Sequence, residues 1–122
     1  MVLIYTYTRA QALGDGVLID VTDTAQEAGI RYPTALTCAV WEQYIRVPDE
    51  VSGQDETGRL WDILWMFRNA VRTAPHERTD AIPFQLHVRN DEERLQLVTL
   101  KAVCGPGDDA EPVITIMLPH ED

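Results

Sequence analysis

Several ingredients are scarce in this sequence, and each scarcity narrows what the chain can do. Cysteine occurs twice, at Cys38 and Cys104, with no CxxC pair. Two lone thiols make no disulfide framework, and reduced, buried side chains are the expectation for them in a cytosolic protein. Basic residues are few: nine arginines and one lysine against twenty carboxylates leave a net charge of −10. That balance argues against direct binding of nucleic acid, which depends on neutralising phosphates. No apolar run approaches the ~20 residues that a membrane span needs. The first apolar run, Val2–Tyr5, is too short and lacks the basic leader of a signal peptide. A cytoplasmic protein with no membrane partner is therefore expected. Also missing are GxxxxGK[ST], GxGxxG, HExxH and any zinc-spaced cluster, so no cofactor or metal is expected.

What is present reads as one globular domain over residues 1–122. The 45% hydrophobic content is ordinary for a folded protein, and 122 residues suffice for a core. The strongest pattern is Arg59–Arg72, RLWDILWMFRNAVR. Leu60, Leu64, Phe67 and Val71 recur at helical spacing, and Ile63 and Ala70 widen that face. Asp62 and Asn69 point the other way. Ser52, Asp55 or Thr57 can cap the start, which falls in Gly53–Gly58, with Gly58 favouring the late end. Pro75 stops the helix. Trp61, Trp65, Arg68 and Arg72 form a second stripe, about 100° from the centre of the first. The stripe is expected to pack under a neighbouring element with the arginines at its rim, since Trp is highly buried on average. An exposed aromatic/arginine contact surface is the alternative, because both residue types are enriched in binding hot spots.

Before that helix the chain alternates short elements. Val2–Tyr7 reads as a strand. Thr8 with Gln11 makes a capping box for a short helix that Gly14 closes. Val17–Val21 is a second strand. Asp23 or Thr24 caps a second helix that Gly29 ends. Ile30–Leu36 is extended, with Pro33 confining it to an edge or to irregular structure. Thr37 caps a third helix, Cys38–Arg46, and Pro48 ends it. After the central helix the period falls from 3.6 to 2. Ile82, Phe84, Leu86 and Val88 alternate with polar residues, and Asn90–Glu93 turns the chain. Leu95–Cys104 follows with a broken apolar phase that a bulge near Leu97–Val98, or burial on both faces, would reconcile. Gly105–Pro112 is a turn and Val113–Leu118 a last strand. Setting Ile114 against Ala102, Ile116 against Leu100 and Leu118 against Val98 gives one apolar face for the central helix. The expected class is α+β: short N-terminal strands and helices, then one long helix packed on a mainly antiparallel sheet that ends in a three-stranded meander.

No residue grouping singles out a reaction. His76, His87 and His120 are scattered and read as solvated. A Cys104–His87 dyad fails on geometry, because the hairpin puts His87 across from about Leu97. The carboxylates fall mostly in turns and helix starts, where turn chemistry and the helix dipole account for them. The functional alternative is an acidic surface, with Asp108, Asp109 and Glu111 as candidates, that occupies a basic groove on a nucleic-acid-binding protein. A small enzyme would have its site at the early turns, Asp15 and Asp20, or at His76–Glu77.

Taken together, YTRAQALGDGVLIDVTDTAQEAG, YPTALTCAVWEQYI, DETGRLWDILWMFRNAVR and VTLKAVCGPGDDAEPVITIMLP resemble a family of small proteins encoded on bacterial plasmids, integrative elements and phages. The resemblance spans nearly the whole chain. It implies a mobile-element accessory protein and no reaction. Its size and charge are similar to those of antirestriction and anti-CRISPR inhibitors, an argument from setting alone. The expected function is thus a non-enzymatic protein-binding module, with Trp61, Trp65, Arg68 and Arg72 or the acidic loop as its surface. A small enzyme and a structural or regulatory homodimer are the alternatives.

Overall fold

The computed structural model describes residues 7–73, 80–91 and 93–121. The expected strand at Val2–Tyr7 lies outside them except for Tyr7, and so do Pro75 and the His76–Glu77 loop. Helix α1, Arg9–Asp15, leads into strand β1, Leu18–Asp20; α2 is Thr22–Glu27 and β2 is Thr34–Thr37. Helix α3, Cys38–Val40, widens into a π turn, Trp41–Ile45, in which the Arg46 N–H reaches back five residues to Trp41. The long helix α4 is Glu56–Thr73, and β3 (Ala81–Asp91), β4 (Arg94–Pro106) and β5 (Pro112–Met117) complete the order. The class is α+β, as the change of period implies. The five strands form one sheet in the order β1-β2-β5-β4-β3, parallel only between β2 and β5.

Local chemistry explains the start of the chain well. Thr8 accepts from the Gln11 N–H at 3.0 Å, and the Gln11 side chain accepts from the Thr8 N–H at 2.8 Å, closing the capping box. The helix ends one half-turn later than expected. Gly16, not Gly14, takes the left-handed conformation (φ 77°) and returns its N–H to Ala12 and Leu13. Thr8→Ala should lower stability by about 1 kcal/mol, read as a shift in the urea midpoint; a change near zero would mean that α1 contributes nothing to the cooperative unit.

Of the next two caps, one differs from expectation and the other is among the expected candidates. Neither Asp23 nor Thr24 caps α2, which begins behind Val21; Asp20 instead accepts from the Thr22 hydroxyl at 2.5 Å and tightens the turn. At α4 the helix starts early, at Glu56, because the Asp55 carboxylate takes the Gly58 N–H at 2.6 Å. Thr37 does cap α3, accepting from the Val40 N–H.

Strand β2 is interior, and Pro33 falls in the irregular stretch before it, the second of its two expected placements. Pro33 sits just before the paired residues, so its missing N–H costs no ladder bond, and its carbonyl accepts from Ile114. The β3–β4 hairpin has the expected register, with His87 opposite Leu97. The β4–β5 register lies two residues from the expected one: Ala102 faces Ile116 and Cys104 faces Ile114. The strands run on to Pro106 and Pro112, which leaves a shorter turn than Gly105–Pro112. A slip of two keeps every side chain on its face, so the apolar surface survives.

Leu60, Ile63, Leu64 and Phe67 of α4 lie in one core with Phe84, Leu86, Val88, Val98, Leu100, Ala102, Ile114 and Ile116 of the meander. Phe67 and Phe84 meet at 5.8 Å between ring centres. Val71 does not join them; it is exposed, one turn beyond the end of that contact. The opposite face of β2 and β5 is covered too, with Ala35, Val113 and Met117 buried. The opposite face of β3 and β4 is open. Gln85, His87, Leu95, Leu97 and Thr99 are exposed there, so neither a bulge at Leu97–Val98 nor burial on both faces accounts for the broken phase. Among the described residues that hairpin's register shifts only at the tip, between Val88 and Asp91.

Candidate functional site

Helix spacing puts Trp61, Trp65 and Arg68 within successive turns of one flank of α4. The structure brings these three together. The indole rings stack with centroids 6.2 Å apart and planes 13° from parallel. The Arg68 guanidinium lies over the Trp65 ring at 5.0 Å. Trp61 and Trp65 are 36% and 41% exposed, which corrects the expectation that an adjacent element covers them. That expectation failed because α4 meets the sheet over β3 with its leucine face, and the tryptophan flank stands beside that contact. The rings shield each other and the arginine shields one of them. Gly29 helps: its φ of +91° and lack of a side chain let Arg68 lie against it, where a Cβ would come within 2.9 Å of Nε.

Arg72 lies a turn further on and is exposed. It lines, with Arg31, Tyr32, Arg68 and Val71, a separate open depression of about 350 Å³. Toward the other end, Trp65 and Met66 border a groove of about 320 Å³ against Gln85, His87 and Leu97 of the hairpin. Among the described strands, β3 lies at one edge of the sheet and β1 at the other. Exposed apolar side chains thus collect on both sides of the β3 edge: Trp61, Trp65 and Met66 on the helix, Leu95 and Leu97 on the bare sheet face. Met66, Leu95 and Leu97 were not among the sequence candidates. Their exposure depends on where the covered part of the sheet stops.

The acidic candidates are placed elsewhere, and the carboxylates of two of them, Asp108 and Glu111, are occupied. Asp108 takes the N–H groups of Arg9 and Ala10 at 2.8 and 2.9 Å, so the first two donors of α1 end on it and the third on Thr8. Arg9 in turn donates to Thr115 Oγ1 and to the Ile114 carbonyl. Thr115 points to the side opposite Ile114 and Ile116, so α1 and the acidic loop lie across the sheet from α4. Glu111 accepts from the Asp109 N–H at 2.9 Å, and a side chain at Gly107 would collide with its carboxylate. The two candidate surfaces therefore do not merge. Charge reversal at Asp108 would also unfasten α1, so Asp108, Asp109 and Glu111 cannot be reversed together without touching the fold.

The N–H bonds from Ala10 and Arg9, with the Arg9 charge, hold the Asp108 carboxyl below its usual range. A depressed folded-state pKa contributes stability above the unfolded value and loses it as pH falls through the folded value. Asp108→Asn should therefore weaken the fold at neutral pH and flatten its decline below about pH 4. Parallel urea titrations of both proteins across that range would show it; parallel acid limbs would contradict the assignment. Burial lowers the Arg9 pKa, opposed by Asp108, Asp20 and Glu111, so carboxylates from two distant stretches do converge on one arginine.

The two aspartates of the early turns each have a hydroxyl partner among the described residues. Asp15 accepts from the Tyr7 hydroxyl at 2.8 Å and Asp20 is held by Thr22. Among the described residues no three of His, Cys, Asp and Glu gather as metal ligands. Cys38 and Cys104 are both free and exposed, not buried as expected: Cys38 opens α3 on its outer side, and Cys104 lies near the end of β4. His87 faces Leu97, seven positions from Cys104 on the same strand, which excludes the dyad. Among the described residues no helix is long and apolar enough to cross a membrane.

One residue that sequence reasoning passed over holds this region together. Arg59, in the first turn of α4, is only 5% exposed. Its Nε donates to Gln54 Oε1 at 3.2 Å. Nη1 donates to the carbonyls of Tyr44 and Arg46 and to Asn90 Oδ1, and Nη2 to the Arg89 carbonyl. Desolvation lowers its pKa. Periodicity gave no signal, because Arg59 sits next to the apolar stripe and its acceptors come from three other segments.

Over residues 2–122 the chain matches a family of unknown function (DUF6573), and it belongs to that family. No curated protein and no solved structure matches it.

Proposed function

We propose that the protein is a non-enzymatic docking module that binds another protein through the Trp61–Trp65 flank of α4 and the adjoining edge of β3. One observation carries this reading: two stacked tryptophans stand exposed beside an edge strand, with Met66, Leu95 and Leu97 exposed on either side of it. Aromatic residues and arginine concentrate binding energy, and clustered apolar exposure on a folded domain marks a contact surface. Edge strands are a recurrent place for an incoming chain to add to a sheet. The acidic loop, committed to α1, takes no part.

The resemblance to mobile-element proteins gives the reading a setting: an accessory protein that engages a host protein, of the kind that inhibits a defence system. Its support is the sequence resemblance together with a charge of −10, which suits a basic, nucleic-acid-handling target. The test is capture of a partner from the host bacterium by wild type and by a variant with both tryptophans replaced. Retention by wild type and loss by the variant are expected. Equal retention by both would move the surface elsewhere. A mass near twice the monomer in sedimentation, abolished by the same substitutions, would make the flank a self-association surface instead.

A further inference from the structure

The stack on α4 is unfinished at one end. Along the helix axis its order is Trp61, Trp65, Arg68, and Arg68 closes the C-terminal end over the Trp65 ring. Three and four residues before Trp61 stand Gly58 and Thr57, one with no side chain and one with a short one. Neither can do for Trp61 what Arg68 does for Trp65. The space over that end is an open depression of about 580 Å³ that Thr57, Gly58, Trp61, Asp55 and Asp62 help to line.

We propose, on the docking reading above, that the open face of Trp61 receives an arginine side chain of a basic partner protein. The molecule itself shows that this stack accepts a guanidinium on a ring face, in Arg68 over Trp65. Arginine is favoured over lysine because its planar, weakly hydrated head stacks on an indole while its edges still donate to carboxylates. Asp55 and Asp62 supply carboxylates at the rim, and Glu56 adds a third negative charge in the same turn. The opposing charges are smaller. The helix N-terminus contributes about half a positive charge. The Arg59 guanidinium also borders the space, but its donors are directed at Gln54, Asn90 and backbone carbonyls. A net charge of −10 on the whole protein draws a basic partner in.

The experiment is a titration of the full, isotope-labelled protein with a hexa-arginine amide, followed through the indole N–H signals. Hexalysine and hexaglutamate serve as comparison peptides. The Trp61 signal should move saturably with hexa-arginine, less with hexalysine and not at all with hexaglutamate. Trp61→Ala should abolish the response while circular dichroism shows the fold intact. Asp62→Lys should weaken the apparent affinity about tenfold, the size of one lost close ion pair at a partly desolvated site. Asp109→Lys makes the same charge change at an exposed position across the sheet from α4 and should leave the response nearly unchanged. The assignment is overturned if Trp61 is silent, if lysine equals arginine, or if the two charge variants weaken binding alike, which would reduce the effect to overall charge. A partner whose capture needs Trp61 and Trp65 but which arrives without arginine would leave the docking surface standing and sink the arginine site alone.

Discussion

Arg59→Ala is expected to lower the stability of the domain by about 3 kcal/mol, the largest loss of any polar substitution described for this chain. The guanidinium closes two open ends. The Tyr44 and Arg46 carbonyls belong to the last turn of α3 and its exit, where no further N–H is available, and Arg59 caps them as a cation at a helix C-terminus. The Arg89 carbonyl and the Asn90 side chain belong to the β3–β4 hairpin, close to its irregular tip. Alanine would leave five acceptors, Gln54 Oε1 included, without their donor at a site that is only 5% exposed. Each stranded acceptor costs about 1–3 kcal/mol when water cannot reach it, and part of the site will admit water. Arg59→Lys should recover little, since one ammonium cannot span acceptors spread over three segments. Urea unfolding of the three proteins decides the matter. A loss below about 1 kcal/mol would mean that water replaces the guanidinium without penalty.

The paired substitution Trp61→Ala/Trp65→Ala should cut partner affinity by at least about a hundredfold, the effect of losing two anchors of a hot spot worth roughly 1.4 kcal/mol or more each. Stability should fall far less than binding. Both rings are over one-third exposed, and neither belongs to the cluster around Leu64 and Leu100. Arg68→Ala separates two roles of the stack. If Arg68 only steadies Trp65, its loss should weaken binding by several-fold through disorder of the ring; if it contacts the partner, the loss should approach that of a tryptophan. Titration of a purified partner onto each variant, beside its thermal melt, provides both numbers. Unchanged affinity with both tryptophans gone would remove the central element of the proposed function.

The sequence alone determined whatever is written in local spacing. The Thr8–Gln11 box, the Thr37 cap, the buried stripe of Leu60, Leu64 and Phe67, and the pairing of His87 with Leu97 all depend on residues a few positions apart or joined by one turn. Tertiary structure decided which surfaces were left over. Trp61, Trp65 and Val71 carry the composition of a core, and nothing nearby in the chain says that α4 stops short of covering them. Leu95 and Leu97 alternate as strand residues should, yet the cover over that face of β2 and β5 does not extend to them. Arg59 became the tie between three segments only when residues 15 and 30 positions away folded back onto it. Periodicity names the face of an element; exposure depends on what else arrives at that face, and that is settled by contacts between residues distant in the chain.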